Sequence, residues 1–358
     1  MGELESGTLA ALAGLLGGMV LGVAARWGRF CTLSAIEAAS FGGDTRGLRS
    51  WGLAIAVAIA GAYGLDQAGV LELSATFYLA SPISILTTAL GGFLFGIGMA
   101  LVGTCGYGCL ARMGGGDLKS FVAFLVMGVT AYATLRGLTA YLRLAVTPDI
   151  AVPPAPASMA HAVAGEGTGL LHAVGYGAAL ALAAFCLSAT PFRRDARKVL
   201  VGIAVGLVIV WGWASTALIA ADAFEPVTVE SYTYSAPLGE SLVYLMTMSG
   251  STLDFGIGAV AGVILGAFAA SLALGHFRWE ASDDPRELRR HIAGGVLMGF
   301  GSVTAMGCTI GQGITAASTL AWSAPVALLA MFAGATLGLS HLIRGSFWEP
   351  VRMLFARS

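Results

Sequence analysis

The five cysteines, Cys31, Cys105, Cys109, Cys186 and Cys308, carry the first functional information in this chain. Three of them sit in glycine-rich stretches of one design. Gly91-Gly92 is followed by Gly96, Gly98, Cys105 and Gly108. Gly294-Gly295 is followed by Gly299, Gly301, Cys308 and Gly311 in the same register. Gly17-Gly18, Gly22, Ala24, Cys31 and Ser34 form a further copy, and a weaker one runs Gly202, Gly206, Val208 and Ser215, with serine in the cysteine position. Glycine every four residues is ordinary where membrane helices pack. One cysteine placed identically in three copies asks for a chemical reason.

A thiol is soft, polarizable and a weak hydrogen-bonding group, suited to meeting another sulfur atom. Three of them on converging helices would form a track for a sulfur-bearing solute. An anionic solute would find compensation at helix N-termini, whose free N–H groups and dipoles favour negative charge without a buried cation. Cys105 and Cys109 lie four residues apart, on one face of a helix, and leave other readings open. Zinc would need further ligands, and the five histidines (161, 172, 276, 291 and 341) stand in no matching positions. His161, His276 and His291 fall in expected loops or at span edges and read as solvated. A disulfide fits poorly with membrane-embedded stretches. A nucleophilic thiol pair, with Arg112 lowering a pKa, would instead make a membrane thiol enzyme. Cys186 reads as a small buried hydrophobe. Arg112 and Lys119 are either anion attractors at a cytoplasmic mouth or topological anchors, and Glu37 is a packing partner for Arg29 or Arg46.

The elements that must position these groups follow from composition. Of 358 residues, 57% are hydrophobic and only 11% charged, and mean hydropathy is +0.81. A soluble domain is about a quarter charged, so a soluble enzyme is excluded. The balance of 19 basic against 20 acidic residues leaves no basic field for nucleic acid. No Walker-type phosphate loop is present, so direct ATP coupling is not expected. Runs of about 20 apolar residues can cross a bilayer, and nine occur, at roughly 7–25, 49–70, 83–103, 120–142, 168–190, 198–214, 253–274, 291–307 and 323–343. The acidic start Met1-Gly2-Glu3-Leu4-Glu5 does not read as a signal peptide. All basic residues except Arg136 and Arg143 fall on the side reached after the odd spans. The positive-inside rule therefore predicts an outside N-terminus and a cytoplasmic C-terminus. Pro148–Gly167 reads as an external loop, and Arg278–Arg290 as the main polar cytoplasmic loop.

The copies follow spans of opposite direction. This predicts a single membrane domain over 1–358, with a first half at 1–145, an external loop and connecting span at 146–195, an inverted second half at 196–345 and a cytoplasmic tail at 346–358. Such inverted repeats build many secondary transporters. Short helices dipping in from both faces would meet near the midplane, where irregular backbone needs protein or water around it. The fold class is all-α and polytopic, with about nine transmembrane helices and four short central re-entrant helices.

Gly28-Arg29-Phe30-Cys31-Thr32, Gly103-Thr104-Cys105-Gly106-Tyr107-Gly108-Cys109 and Met306-Gly307-Cys308-Thr309-Ile310-Gly311-Gln312-Gly313 resemble the motifs of the YeeE/YedE sulfur-transport family, over essentially the whole chain. The resemblance implies a thiosulfate-uptake protein of the bacterial inner membrane with an hourglass-like body. It also implies a pathway along Cys31, Cys105 and Cys308, and a small TusA-like sulfur-carrier protein as cytoplasmic partner. Cys109, Thr309, Gln312, Gly311 and Gly108 join the expected pathway by their place in these motifs. Neither a metal nor a cofactor is expected. The alternative is the thiol enzyme, carrying sulfane sulfur or exchanging disulfides through Cys105 and Cys109.

Overall fold

The computed structural model describes residues 5–146, 158–165, 168–223, 227–281 and 284–344. Most of the expected external loop and the whole expected tail at 346–358 lie outside them. Among the described residues there is no strand; Asp117 and Glu280 form an isolated parallel bridge. In chain order the principal helices are α1 Ser6–Arg26, α2 Thr32–Phe41, α3 Arg46–Gln67, α4 Ile85–Val102, α5 Gly106–Gly114, α6 Leu118–Arg136 and α7 Thr168–Leu187. They continue with α8 Ala196–Asp222, α9 Ala236–Thr247, α10 Phe255–Ala273, α11 Pro285–Thr304, α12 309–318 and α13 Ser323–Arg344.

Helices α2, α5, α9 and α12 are short, and the other nine are long. Among the described residues, eight stretches are long and apolar enough to cross a membrane, α4 and α5 together counting as one of them. The remaining long helix, α11, has the length but begins in charge, with Arg286, Glu287, Arg289 and Arg290 in its first turns. It starts six residues before the apolar run does, because the Asp284 carboxylate accepts from the Arg286 N–H and caps it. The chain is thus an all-α polytopic membrane protein.

The structure corrects one register. The weak fourth copy places a break at Ser215, but α8 runs unbroken for 27 residues to Asp222. The Ser215 hydroxyl simply donates to the Gly212 carbonyl within that helix. Between Gly212 and Asp222 the sequence offers neither glycine nor proline to stop the helix. The fourth short helix is α9, which starts after an extended stretch, at N-cap Ser235, with Pro237 in its first turn.

Close helix pairs make the frame. Helices α1 and α10 run parallel, α4 pairs with α13, α6 with α11 and α3 with α8, while α4 also crosses α11. Glycine makes these approaches possible. A Cβ on Gly98 would sit 2.6 Å from the Gly294 carbonyl, and one on Gly294 would sit 2.7 Å from the Gly98 carbonyl. At the other end of the crossing, a Cβ on Gly301 would lie 2.6 Å from the Gly91 carbonyl. The repeated glycines of the two strongest copies therefore face each other across one crossing. Helix α7 lies at the edge against α3, where His172 Nε2 meets Asp66 Oδ2 at 2.9 Å. Its Cys186 is buried against Leu53 and Phe192, as a small apolar residue would be.

Candidate functional site

Cys31, Cys105 and Cys308 occupy equivalent local structures. Each stands immediately before a short helix, and the carbonyl of each accepts the first helical hydrogen bond, from the N–H of Ala35, Cys109 and Gln312 respectively. Two residues upstream of each, the backbone turns left-handed, at Arg29 (φ 50°), Gly103 (φ 80°) and Met306 (φ 61°). That turn ends α1, α4 or α11 and redirects the chain into α2, α5 or α12.

Each turn is tied by one long polar side chain. Lys198 Nζ donates to the Gly28 and Arg29 carbonyls, both at 3.2 Å. An Arg112 guanidinium N–H donates to the Gly103 carbonyl at 2.8 Å. Gln312 Nε2 donates to the carbonyls of Ala305 at 2.9 Å and Met306 at 3.3 Å. Phe30 stacks on Trp51 with ring centroids 4.7 Å apart, which fixes the approach to Cys31.

Cys31 does not spend its side chain on capping its helix. The turns interlock instead. Cys31 Sγ lies 3.9 Å from the hydroxyl of Thr104, the neighbour of Cys105. The Cys105 thiol lies beside Thr309, the neighbour of Cys308, and within electrostatic reach of Cys31 and Cys308. Cys308 Sγ in turn accepts the Tyr234 N–H at 3.2 Å, and Tyr234 is the neighbour of Ser235. Four helix starts therefore meet in the order Ser235, Cys308, Cys105, Cys31.

Two cavities approach this seam from opposite ends. One, of about 280 Å³, is lined by Tyr78, Arg143, Glu230, Thr233, Ser235 and Gly307 among others. The second, of about 300 Å³, is lined by Arg26, Arg29, Cys31, Thr104, Arg112 and His276 with their neighbours. Cys105 and Cys308 have no exposed surface and line neither cavity, so they form the seal between them. Within the seal, Thr309 Oγ1 and Gln312 Oε1 are buried without a hydrogen-bond partner. Gln312 also belongs to a π-helical stretch, Gly311–Ala316, a distortion common at functional sites.

The glycines of the two Cys-x-x-Gly motifs make room for hydroxyls. A Cβ on Gly108 would collide with Thr104 Oγ1, and one on Gly311 with Thr233 Oγ1. Cys109 is fully buried one turn beyond Cys105 and reaches neither cavity.

The cavities differ in charge. The Cys31 cavity is strongly basic and adjoins a recess of mixed charge, where Arg29, Arg46 and Lys198 stand with Asp44 and Asp195. The Glu230 cavity holds one acid and one arginine among its lining residues. Glu230 lies outside the spanning helices, where burial first, and then Asp254 and Glu240, push its carboxyl up to about 8.

With this geometry in view, comparison with known proteins is decisive. The family described as sulphur transport matches residues 27–337. The chain belongs to that family. Two curated relatives span almost the same length. The thiosulfate transporter TsuA of Escherichia coli is 26% identical over 353 residues, covering 90% of this chain and 92% of its own. The thiosulfate transporter TsuA of Spirochaeta thermophila is 28% identical over 327 residues, covering 90% and 96%. Membership makes the chain a sulphur transporter rather than an enzyme.

Against that membership, several single residues differ from their sequence readings. Lys119 lines neither cavity but pairs with Glu287 at 3.2 Å, tying α6 to α11. Arg46 pairs with Asp44 and Asp195 rather than Glu37, which is exposed. His291 is buried and bonds the Glu287 carbonyl, while His276, expected to be merely solvated, lines the basic cavity. Lys198, Glu230 and Ser235 lie outside the cysteine motifs and carry no unusual spacing, so the sequence does not mark them as site residues. Thr104 stands inside the Gly103-Thr104-Cys105 motif, and its place directly before Cys105 is the signal that points to it.

Proposed function

We propose that this chain takes up thiosulfate, or a closely related sulfur anion, across the bacterial inner membrane along Ser235, Cys308, Cys105 and Cys31. The observation that carries the reading is the seam of thiols at three helix starts, sealed between one cavity of mixed charge and one basic cavity. Thiosulfate has a soft sulfur end and a hard oxygen end. Thiols match the first, and helix N–H groups and hydroxyls match the second. Thr309, Gln312, Gly108 and Gly311 complete the neck: two supply polar groups without protein partners, and two leave space for hydroxyls. Cys109, one turn behind Cys105, packs the neck from the side.

The bias of basic residues places the N-terminus in the periplasm and the C-terminus in the cytoplasm. The Glu230 cavity then opens outward and the basic Cys31 cavity inward, where it would hold the anion for a small acidic-faced carrier of the TusA type. Halves 1–145 and 196–345 act as inverted repeats. The pairing of α1 with α10 alongside that of α8 with α3 supports this, as does that of α4 with α13 alongside α11 with α6. The thiol-enzyme reading is less well supported, because neither cavity reaches Cys105 or Cys109.

The test is uptake of radiolabelled thiosulfate into proteoliposomes. Alanine at Cys105 or Cys308 is expected to cut the rate more than tenfold, and alanine at Cys31 severalfold, with folding retained. Wild-type rates in all three single variants would sink the thiol pathway.

A further inference from the structure

We propose that Ser235, at the N-terminus of α9, is the capture subsite for the oxygen end of the transported sulfur anion. It holds the anion so that its sulfur end meets Cys308. The proposal rests on the transport reading above and adds a fourth helix start that carries a hydroxyl instead of a thiol.

Four observations meet at this residue. Ser235 is only 6% exposed, and its Oγ has no hydrogen-bond partner. The little surface it keeps belongs to the Glu230 cavity, on a floor shared with Thr233, Ser302 and Gly307. Although Ser235 is the N-cap of a 12-residue helix, its side chain does not cap that helix. The first turn of α9 therefore keeps its positive end without a side-chain acceptor from Ser235, and Leu238 at the third helical position offers no carboxylate or amide to complete a capping box. The N–H of the preceding residue, Tyr234, is bonded to Cys308 Sγ at 3.2 Å. An oxyanion received at Ser235 is thereby placed one residue from the first thiol of the seam.

The chemistry sorts the two ends of the substrate. A serine hydroxyl and helix N–H groups donate to sulfonate oxygens in the way a helix start holds any tetrahedral oxyanion. They offer nothing special to a divalent sulfur, which a thiol accommodates better. Arg143, at the same cavity, supplies attraction at longer range. A hydroxyl at the outermost position and thiols further in would orient the anion oxygen-first to the serine and sulfur-first to the cysteine. Sulfate, which has the oxygens but no sulfur end, should occupy Ser235 and go no further.

Thiosulfate uptake into proteoliposomes and equilibrium binding to the detergent-solubilised full chain, measured by calorimetry, test this together. Ser235→Ala should raise KM and Kd for thiosulfate roughly tenfold, the loss of one charge-assisted hydrogen bond, with Vmax within about twofold. Unlabelled sulfate should inhibit wild-type uptake competitively and lose that effect in Ser235→Ala. The melting temperature of Ser235→Ala should be unchanged or higher, since the hydroxyl makes no bond within the protein. Unchanged KM and Kd with sulfate inhibition intact would overturn the proposal. So would a lowered melting temperature with Vmax falling and Kd constant, which is the signature of a structural serine. Absence of thiosulfate uptake by the wild type would strike the transport reading instead, and the binding arm would still decide on Ser235.

Discussion

Arg29 and Met306 show what single residues contribute here. Left-handed backbone costs a non-glycine residue about 1–2 kcal/mol, yet both adopt it two residues before a cysteine. The cost is offset where a long side chain bonds the carbonyls of the same turn: Lys198 for the first, Gln312 for the third. Arg112 does the same at Gly103, where no strain arises. At the cavity it lines, the residue expected to set the pH response is Glu230. Its carboxyl is raised to about 8 by burial and by the acids Asp254 and Glu240, with Arg143 lining the same cavity. A raised carboxyl pKa favours the protonated form. Glu230 is therefore mostly neutral at pH 7 and becomes a fixed negative charge as pH passes 8, and its contribution to stability is lost in the same direction. Thiosulfate keeps its double negative charge across that range, so the change belongs to the protein. Thiosulfate affinity in proteoliposomes should be level from pH 6 to 7.5 and fall severalfold by pH 9. Glu230→Gln should flatten the profile, and an unchanged slope in that variant would rule the residue out.

At the scale of helices, glycine decides how close two backbones come, and that closeness is what carries the cysteine turns to one seam. The crossing of α4 and α11 is the clearest case, with Gly98 and Gly294 each occupying the space the other's Cβ would need. Gly98→Ala or Gly294→Ala should lower the melting temperature, at an overpacking cost of about 1–3 kcal/mol, and should reduce uptake by displacing Cys105 from Cys308. Gly177→Ala in α7 is the control, since nothing lies within 4 Å of its Cβ position. It should be neutral or slightly stabilising in the same thermal-shift assay. These glycines were legible in the sequence because their register repeats with the cysteine. That a span ends near each cysteine and runs into a short segment was legible for the same reason, though the residues that begin α2, α5 and α12 were not. The fourth helix start was not. The weak copy around Gly202 and Ser215 kept the glycines that pack α8 on α3 but carried no turn, because nothing in Trp213–Asp222 interrupts a helix. Packing glycines and turn-making residues had separated in that copy, and only the backbone reveals that the start moved to Ser235. The ties from Lys198 and Gln312 were equally hidden, since Lys198 joins a turn about 170 residues away in sequence.

On the scale of the whole molecule, two cavities lie on either side of the buried Cys105–Cys308 seam, and the proposed pathway through it has ends that differ in access. Cys31 lines the basic cavity, whereas Cys105, Cys109 and Cys308 have no exposed surface and Cys186 is packed under Phe192. A single thiol should therefore react with a membrane-impermeant maleimide, and from one side only. With the orientation proposed above, Cys31 should be labelled in inside-out vesicles and not in right-side-out cells, and Cys31→Ser should abolish the signal. Transport then requires the seal to open, and the π-helical stretch after Cys308 is where the helix is already distorted and Gln312 Oε1 and Thr309 Oγ1 already lack partners. If opening occurs there, saturating thiosulfate applied from outside should bring Cys308 into reach of external maleimide, or shield it if the anion occupies the neck. Either change in Cys308 reactivity places it on the path. Labelling of Cys31 from the outside would invert the assigned topology, and a Cys308 that ignores substrate from both sides would leave the seam without a role in passage.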